Sequence, residues 1–150
     1  MSLEAAHLFG DWLASGQAEG MELGHGDVVE QMLDRARFAA DSRVLDLGCG
    51  TGWTVRRLAA RLGAQGSVAG CDLSPAMIAS ARARSEDSRC SFAIAPADAL
   101  PYADAEFSVV VSMESLYYWP EPEAGLHEIL RVLAPGSAVW IGVDYHADNP

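Results

Sequence analysis

A carboxylate set beside a run of alternating glycines can hold a ligand that carries an amino group. In Val44-Leu45-Asp46-Leu47-Gly48-Cys49-Gly50-Thr51-Gly52, Asp46 stands two residues before the first of three glycines at every second position. Glycines so placed let backbone approach a ligand with no Cβ in the way, and a helix starting behind them offers free N–H groups. A close-packed, nucleotide-type ligand is implied. A nicotinamide or flavin fingerprint would want glycine or alanine at the third position of G-x-G-x-x-G, and that position is Trp53, whose bulk opposes both helix packing and pyrophosphate approach. Asp46 adds a second argument, because its charge suits an ammonium better than phosphates.

Further along, Gly70-Cys71-Asp72-Leu73-Ser74 closes the next apolar run. Asp72 lies roughly 20 residues past the glycines, where an acidic side chain can accept both hydroxyls of a ribose. Ser74 can cap the helix that follows, which leaves Asp72 for the ligand. With these features together, VLDLGCGTG resembles the first motif of class I S-adenosylmethionine-dependent methyltransferases. The stretch 43–146 is similar to their small-molecule methyltransferase subgroup.

That resemblance implies S-adenosylmethionine as cofactor, with S-adenosylhomocysteine as product. It implies a binding set of Asp46, Gly48, Cys49, Gly50 and Gly52 at the turn and Asp72 with Leu73 at the sugar. Asp98 and Ala99, in Pro96-Ala97-Asp98-Ala99, would meet the adenine. Met113 opens Met113-Glu114-Ser115-Leu116-Tyr117-Tyr118-Trp119, where the family lines the methionine end of the cofactor and begins the acceptor pocket. Methyl transfer from a sulfonium is an in-line displacement, so alignment and exclusion of water do most of the work and an acid or base is optional. Where the acceptor must lose a proton, His25 and Tyr117 are the catalytic candidates.

These residues need a scaffold, and the apolar patterning supplies one. From residue 43 onward short apolar runs alternate with helical segments, the signature of a parallel sheet with crossover helices. Strands are expected at 43–47, 67–71, 91–95, 107–112 and 138–143, and helices at 55–62, 75–84 and 122–133. Pro75 after Ser74 marks a helix start, while Gly63 and Gly136 stand just past helix ends. The fold class is α/β, a Rossmann-like three-layer α/β/α arrangement with a mostly parallel sheet in the order 3-2-1-4-5. Residues 43–150 form the cofactor-binding core of one structural domain. Residues 1–42 form N-terminal helices and a loop over the cofactor site: a helix ending near Ser15, a flexible stretch around Gly16, Gly20, Gly24 and Gly26, then a second helix capped by Asp27, with Glu30 three residues on.

Bulk composition narrows the partners. With 21 acidic against 10 basic side chains the chain carries a formal charge of −11, which repels phosphate backbones and disfavours nucleic acid as a substrate. Cys49, Cys71 and Cys90 are odd in number and lack zinc spacing, so no metal site is expected and reduced thiols in the cytoplasm fit best. No apolar run approaches the roughly 20 residues that span a bilayer, and the first residues lack the form of a signal peptide. The family's sheet continues past its fifth strand with a helix and an antiparallel pair, whereas this sequence ends at Asp144-Tyr145-His146-Ala147-Asp148-Asn149-Pro150. A truncated chain is expected, or a homodimer covering the sheet edge at Val139, Ile141 and Val143. Enzymatic methylation of a small molecule is the leading function. A binding module without turnover and a nicotinamide-dependent oxidoreductase are the competitors.

Overall fold

Two sets of side chains leave each strand on opposite faces, and in the first strand both sets are largely apolar. Val44 on one face and Leu45 and Leu47 on the other are all buried, as a parallel strand covered on both sides requires. The computed structural model describes residues 3–143, less the side chains of residues 3–7, 19 and 21–23. Its elements run α1 (Leu3–Ser15), α2 (Gln17–Arg35), β1 (Arg43–Leu47), α3 (Trp53–Arg61), β2 (Ser67–Asp72), α4 (Pro75–Ala83), β3 (Cys90–Ile94), β4 (Phe107–Met113), a 3-10 turn (Leu116–Tyr118), α5 (Pro122–Val132) and β5 (Leu133–Gly142).

The five strands pair in the order β3-β2-β1-β4-β5, every pair parallel. Strand order across the sheet therefore reverses at β1, between β2 and β4, and a ligand crevice opens at the carboxyl ends of strands at such a point. One core layer packs Val44, Val68, Val109 and Val111 against Val29 and Leu33 of α2, Val55 and Leu58 of α3 and Ile78 of α4. The opposite layer packs Leu45, Leu47, Ala69, Cys71 and Val110 against Ile129 and Val132 of α5. Burial of each large side chain among them contributes about 1.5–3 kcal/mol. The three-layer fold and strand order are those expected.

Local punctuation explains most boundaries. Ser74 Oγ accepts the Met77 N–H at 3.3 Å, with Pro75 starting α4. Gly63 follows α3, which ends at Arg61.

The structure departs from expectation at three places. The glycine-rich stretch is not a loop: Gly20, Gly24 and Gly26 lie inside α2, and only Gly16, at φ 76°, breaks the helix. Each interior glycine costs about 1 kcal/mol relative to alanine, but burial of Ala18, Val29 and Leu33 outweighs that cost. Gly26 is also seated against the Trp53 ring, which a Cβ there would meet at 3.5 Å. Asp27 is consequently an exposed residue within the helix and caps nothing. Finally, β5 begins directly after α5, five residues before the expected start, and Gly136 (φ 79°) lies inside it. Its pairing with β4 is irregular between Phe107 and Val109, where Pro135 has no N–H to give the ladder.

The segment from Asp144 to Pro150, with the end of the stretch that resembles the family, lies outside the described residues. No described helix is long and apolar enough to cross a membrane. Cys49, Cys71 and Cys90 are free thiols.

Candidate functional site

The turn after β1 uses its three glycines for different purposes. Gly48, Gly50 and Gly52 all have positive φ, at 78°, 51° and 77°, a region that costs other residues strain. A Cβ on Gly48 would collide with Ser115 Cβ, and one on Gly52 would press on Phe92 and Ala81 at 3.0 and 3.1 Å. These two glycines serve packing. A Cβ on Gly50 would meet nothing within 4 Å, and Gly50 lines the cavity above the turn, so here the turn leaves open space where a side chain would stand. The turn is tied to β2 by the Gly48 and Cys49 N–H groups, which donate to the Cys71 carbonyl at 2.7 and 3.0 Å.

Two carboxylates flank this turn. Asp72, the last residue of β2, accepts the Gly50 N–H at 2.9 Å on one oxygen and the Ser74 N–H at 2.8 Å on the other. Asp72 thus shares with Ser74 the satisfaction of the α4 start, and in addition fixes the glycine turn. Burial pushes its carboxyl up, against the backbone N–H groups of Ser74, Gly50 and Leu73. Asp46 is 2% exposed, and its Oδ2 has no hydrogen-bond partner among the described residues. Burial, and then the charge of Asp72, push its carboxyl up to about 7. A buried oxygen without a partner is costly, and an ammonium group brought to this end of β1 would relieve both the missing bond and the carboxylate pair. The acceptor set fits a ligand bearing an amino group and ribose hydroxyls. Burial holds the neighbouring thiols neutral: Cys49 is raised well above the ordinary thiol range and Cys71 up to about 12.

A hydroxyl network joins the turn to the far wall. The Ser112 and Ser115 hydroxyls lie 2.6 Å apart and both reach the Leu47 carbonyl, at 2.9 and 3.2 Å. The Trp119 Nε1–H donates to Ser115 Oγ at 3.2 Å. The segment after β4 is thereby anchored to the carboxyl end of β1. Within it, Glu114 adopts φ 53°, a conformation uncommon for a residue with a side chain.

The cavity at the carboxyl ends of the strands measures about 200 Å³. Gly48, Cys49, Gly50, Asp72, Leu73, Asp98, Met113 and His25 all line it. Asp46 sits buried behind the turn, Gly52 is packed against Phe92 and Ala81, and Ala99 lies outside the lining with its N–H donated to the Pro96 carbonyl at 3.3 Å. Tyr117 also lies outside it, 53% exposed, its hydroxyl donating to Glu114 at 2.6 Å. Burial and Glu114 raise the Tyr117 pKa far above the ordinary phenol range. His25 reaches the cavity from a helix rather than from a mobile loop.

Phe9 and Trp12 of α1 are absent from the residues the sequence singles out for a site, yet they line the cavity and pack edge-on against Tyr118 at ring separations of 5.2 and 6.2 Å. Their apolar stripe is visible in the sequence, but its docking partner is not. Ser112 and Ser115 give no signal at all, since neither a serine inside an apolar strand nor one in the turn just after it has a periodicity to betray it. Trp53 lines the cavity without closing it, with the Arg57 guanidinium 3.5 Å from its ring centre.

A parallel 3-2-1-4-5 sheet, whose reversal point carries a glycine turn and two acidic strand ends, defines a Rossmann-like domain for an adenosyl-type ligand. Residues 44–136 match the methyltransferase domain family. The chain belongs to that family, the class I S-adenosylmethionine-dependent methyltransferases. It is 32% identical to an O-methyltransferase of Aspergillus sclerotiorum, over 94% of this chain and 55% of that protein. A methyltransferase solved in complex with the Haloferax volcanii Trm112 methyltransferase activator superposes with a TM-score of 0.84 at 36% identity, covering 89% of this chain and 58% of that one. A phosphoethanolamine N-methyltransferase of Haemonchus contortus, solved with S-adenosylhomocysteine and phosphomonomethylethanolamine, superposes at 0.71 with 29% identity, over 77% of this chain and 28% of that one. The chain spans about half the length of the curated relatives it matches.

Proposed function

We propose that this chain holds S-adenosylmethionine at the carboxyl ends of β1 and β2 and delivers its methyl group to a small-molecule acceptor in the cavity below α1 and α2. The observation that carries this reading is the partnerless, buried Asp46 Oδ2 behind a turn kept open at Gly50. When bound, S-adenosylmethionine supplies a methyl group already activated on a sulfonium.

The chain's own residues then have distinct tasks. Asp46 supplies a charge for the amino group, and the Gly48–Gly52 turn gives the backbone access. Asp72 keeps acceptor capacity beyond its two backbone bonds, since a carboxylate has about four acceptor sites, and that capacity suits the ribose hydroxyls. Asp98 and Ala99 belong to the adenine side and Met113 to the methionine side. Phe9, Trp12, Tyr118 and Trp119 exclude water around the acceptor. Where a proton must leave the acceptor, His25 is the base we assign, because it lines the cavity while Tyr117 lies outside it with its hydroxyl donated to Glu114. Association through the outer edge of β5, where Val139 is 44% exposed, belongs to the same reading.

Calorimetric titration with S-adenosylmethionine, S-adenosylhomocysteine and NADH tests it. Binding of both adenosyl ligands without NADH binding supports the proposal. NADH binding in their place would overturn it, and adenosyl binding with no turnover on any acceptor would leave a binding module.

A further inference from the structure

The cavity has an uneven charge inventory. The sequence contains no lysine, and its ten basic side chains are all arginines, between Arg35 and Arg131. None of them lines the cavity. Arg43, Arg61, Arg89 and Arg131 are engaged with carboxylates elsewhere on the molecule. Arg57 lies against the Trp53 ring and is ion-paired to Glu30. Arg56 donates to the Thr51 carbonyl at 2.8 Å. On the side beyond the glycine turn, the lining instead contributes Glu114 and Glu121, together with the rings of Phe9, Trp12, Tyr118 and Trp119. Among the described lining residues His25 alone can carry positive charge.

An anion entering this space would leave water with only the His25 imidazole as a cationic partner among the described lining residues, and would meet the negative charge of Glu114 and Glu121 in the same lining. A protonated amine gains from the negative charge that Glu114 and Glu121 bring to this lining and from contact with its aromatic rings. Glu114 is held in place at this wall: its backbone is fixed at φ 53° with its N–H donated to the Gly142 carbonyl at 2.9 Å, and its side chain is positioned by the Tyr117 hydroxyl. We infer that the acceptor subsite takes small molecules carrying a protonated amine on an aromatic or aliphatic body, and rejects those carrying carboxylate or phosphate. This selectivity rests on the methyl-donor reading for its meaning, although the charge preference of the cavity can be measured without it.

Phenethylamine, 2-phenylethanol and phenylacetate share a body and differ in charge. Tryptophan fluorescence would follow their binding at pH 8, using the whole chain with and without saturating S-adenosylhomocysteine. The amine should bind on the order of tenfold more tightly than the carboxylate, with the alcohol between. Both E114Q, which keeps an acceptor for Tyr117, and E121Q should narrow that gap. Equal or tighter binding of phenylacetate, an unchanged gap in both variants, or no binding of the amine in either state would overturn the inference. Failure of S-adenosylhomocysteine to bind, with the amine preference intact, would remove the donor reading and leave the cavity's selectivity standing.

Discussion

Occupation of the site by an ammonium-bearing ligand should expel a proton, and Asp46 sets the size of the effect. Its carboxyl is lifted from an ordinary value of 3.8 to about 7 by burial and by Asp72. At about 1.36 kcal/mol per pH unit, that lift corresponds to roughly 4 kcal/mol against the ionised form in the ligand-free protein. At pH 7 the group is therefore about half protonated. An ammonium brought to this end of β1 favours the carboxylate, so binding near pH 7 releases a fraction of a proton, and affinity rises with pH up to about 7 and then levels off. Calorimetry of S-adenosylhomocysteine in two buffers of different ionisation enthalpy reads the released proton directly. Asp46→Asn should abolish the release and weaken binding by about 1–3 kcal/mol, the loss of a bond to a charged group. Proton uptake, or release undiminished in the Asp46→Asn variant, would refute the placement of the amino group at this carboxylate.

The same carboxyl gives the ligand-free fold a pH dependence of opposite sign. Because its folded pKa is raised, the unfolded chain loses the proton first as pH climbs from about 4 to 7, and stability falls over that window; denaturant titrations at pH 4.5 and 7.5 should show the decline, and Asp46→Asn should flatten it. Asp72→Ala should weaken cofactor binding by about 1–3 kcal/mol, read by calorimetry on a variant whose circular dichroism is unchanged. Ser115→Ala removes the partner of the Trp119 indole and one of two hydroxyls on the Leu47 carbonyl, so it should cost about 1–3 kcal/mol of stability and shift the tryptophan emission. Gly48→Ala, which drives a Cβ into Ser115, should destabilise the fold more than Gly50→Ala, whose Cβ meets nothing; thermal melts of the pair decide the order.

Legibility in the sequence follows from the range of the interactions involved. The core strands are continuous apolar runs bounded by turn residues, and β1 lies where its residues place it. Asp72 and the glycine turn are recognisable because a strand, a loop and a helix in immediate succession fix their relation locally. The N-terminal helices are obscured for the converse reason: the glycines between Gly16 and Gly26 weaken local helix preference, and what holds α2 together is Val29 and Leu33 meeting a sheet far along the chain. Asp27 resembles a cap only when the helix is started there, ten residues after its actual first residue. The Ser112–Ser115–Trp119 network leaves no local trace, since its other end is the Leu47 carbonyl, 65 and 68 residues away from the two serines. The lack of arginines on the acceptor side is likewise a property of the folded cavity, not of any stretch of sequence.

A crystal of this chain grown with S-adenosylhomocysteine puts the central placement to the most direct test. Density should show the ribose hydroxyls within hydrogen-bond reach of the Asp72 carboxylate, the amino-acid tail beside Gly48–Gly52 and its amino group toward Asp46. A ligand bound elsewhere, or one whose ribose faces away from Asp72, would contradict the account.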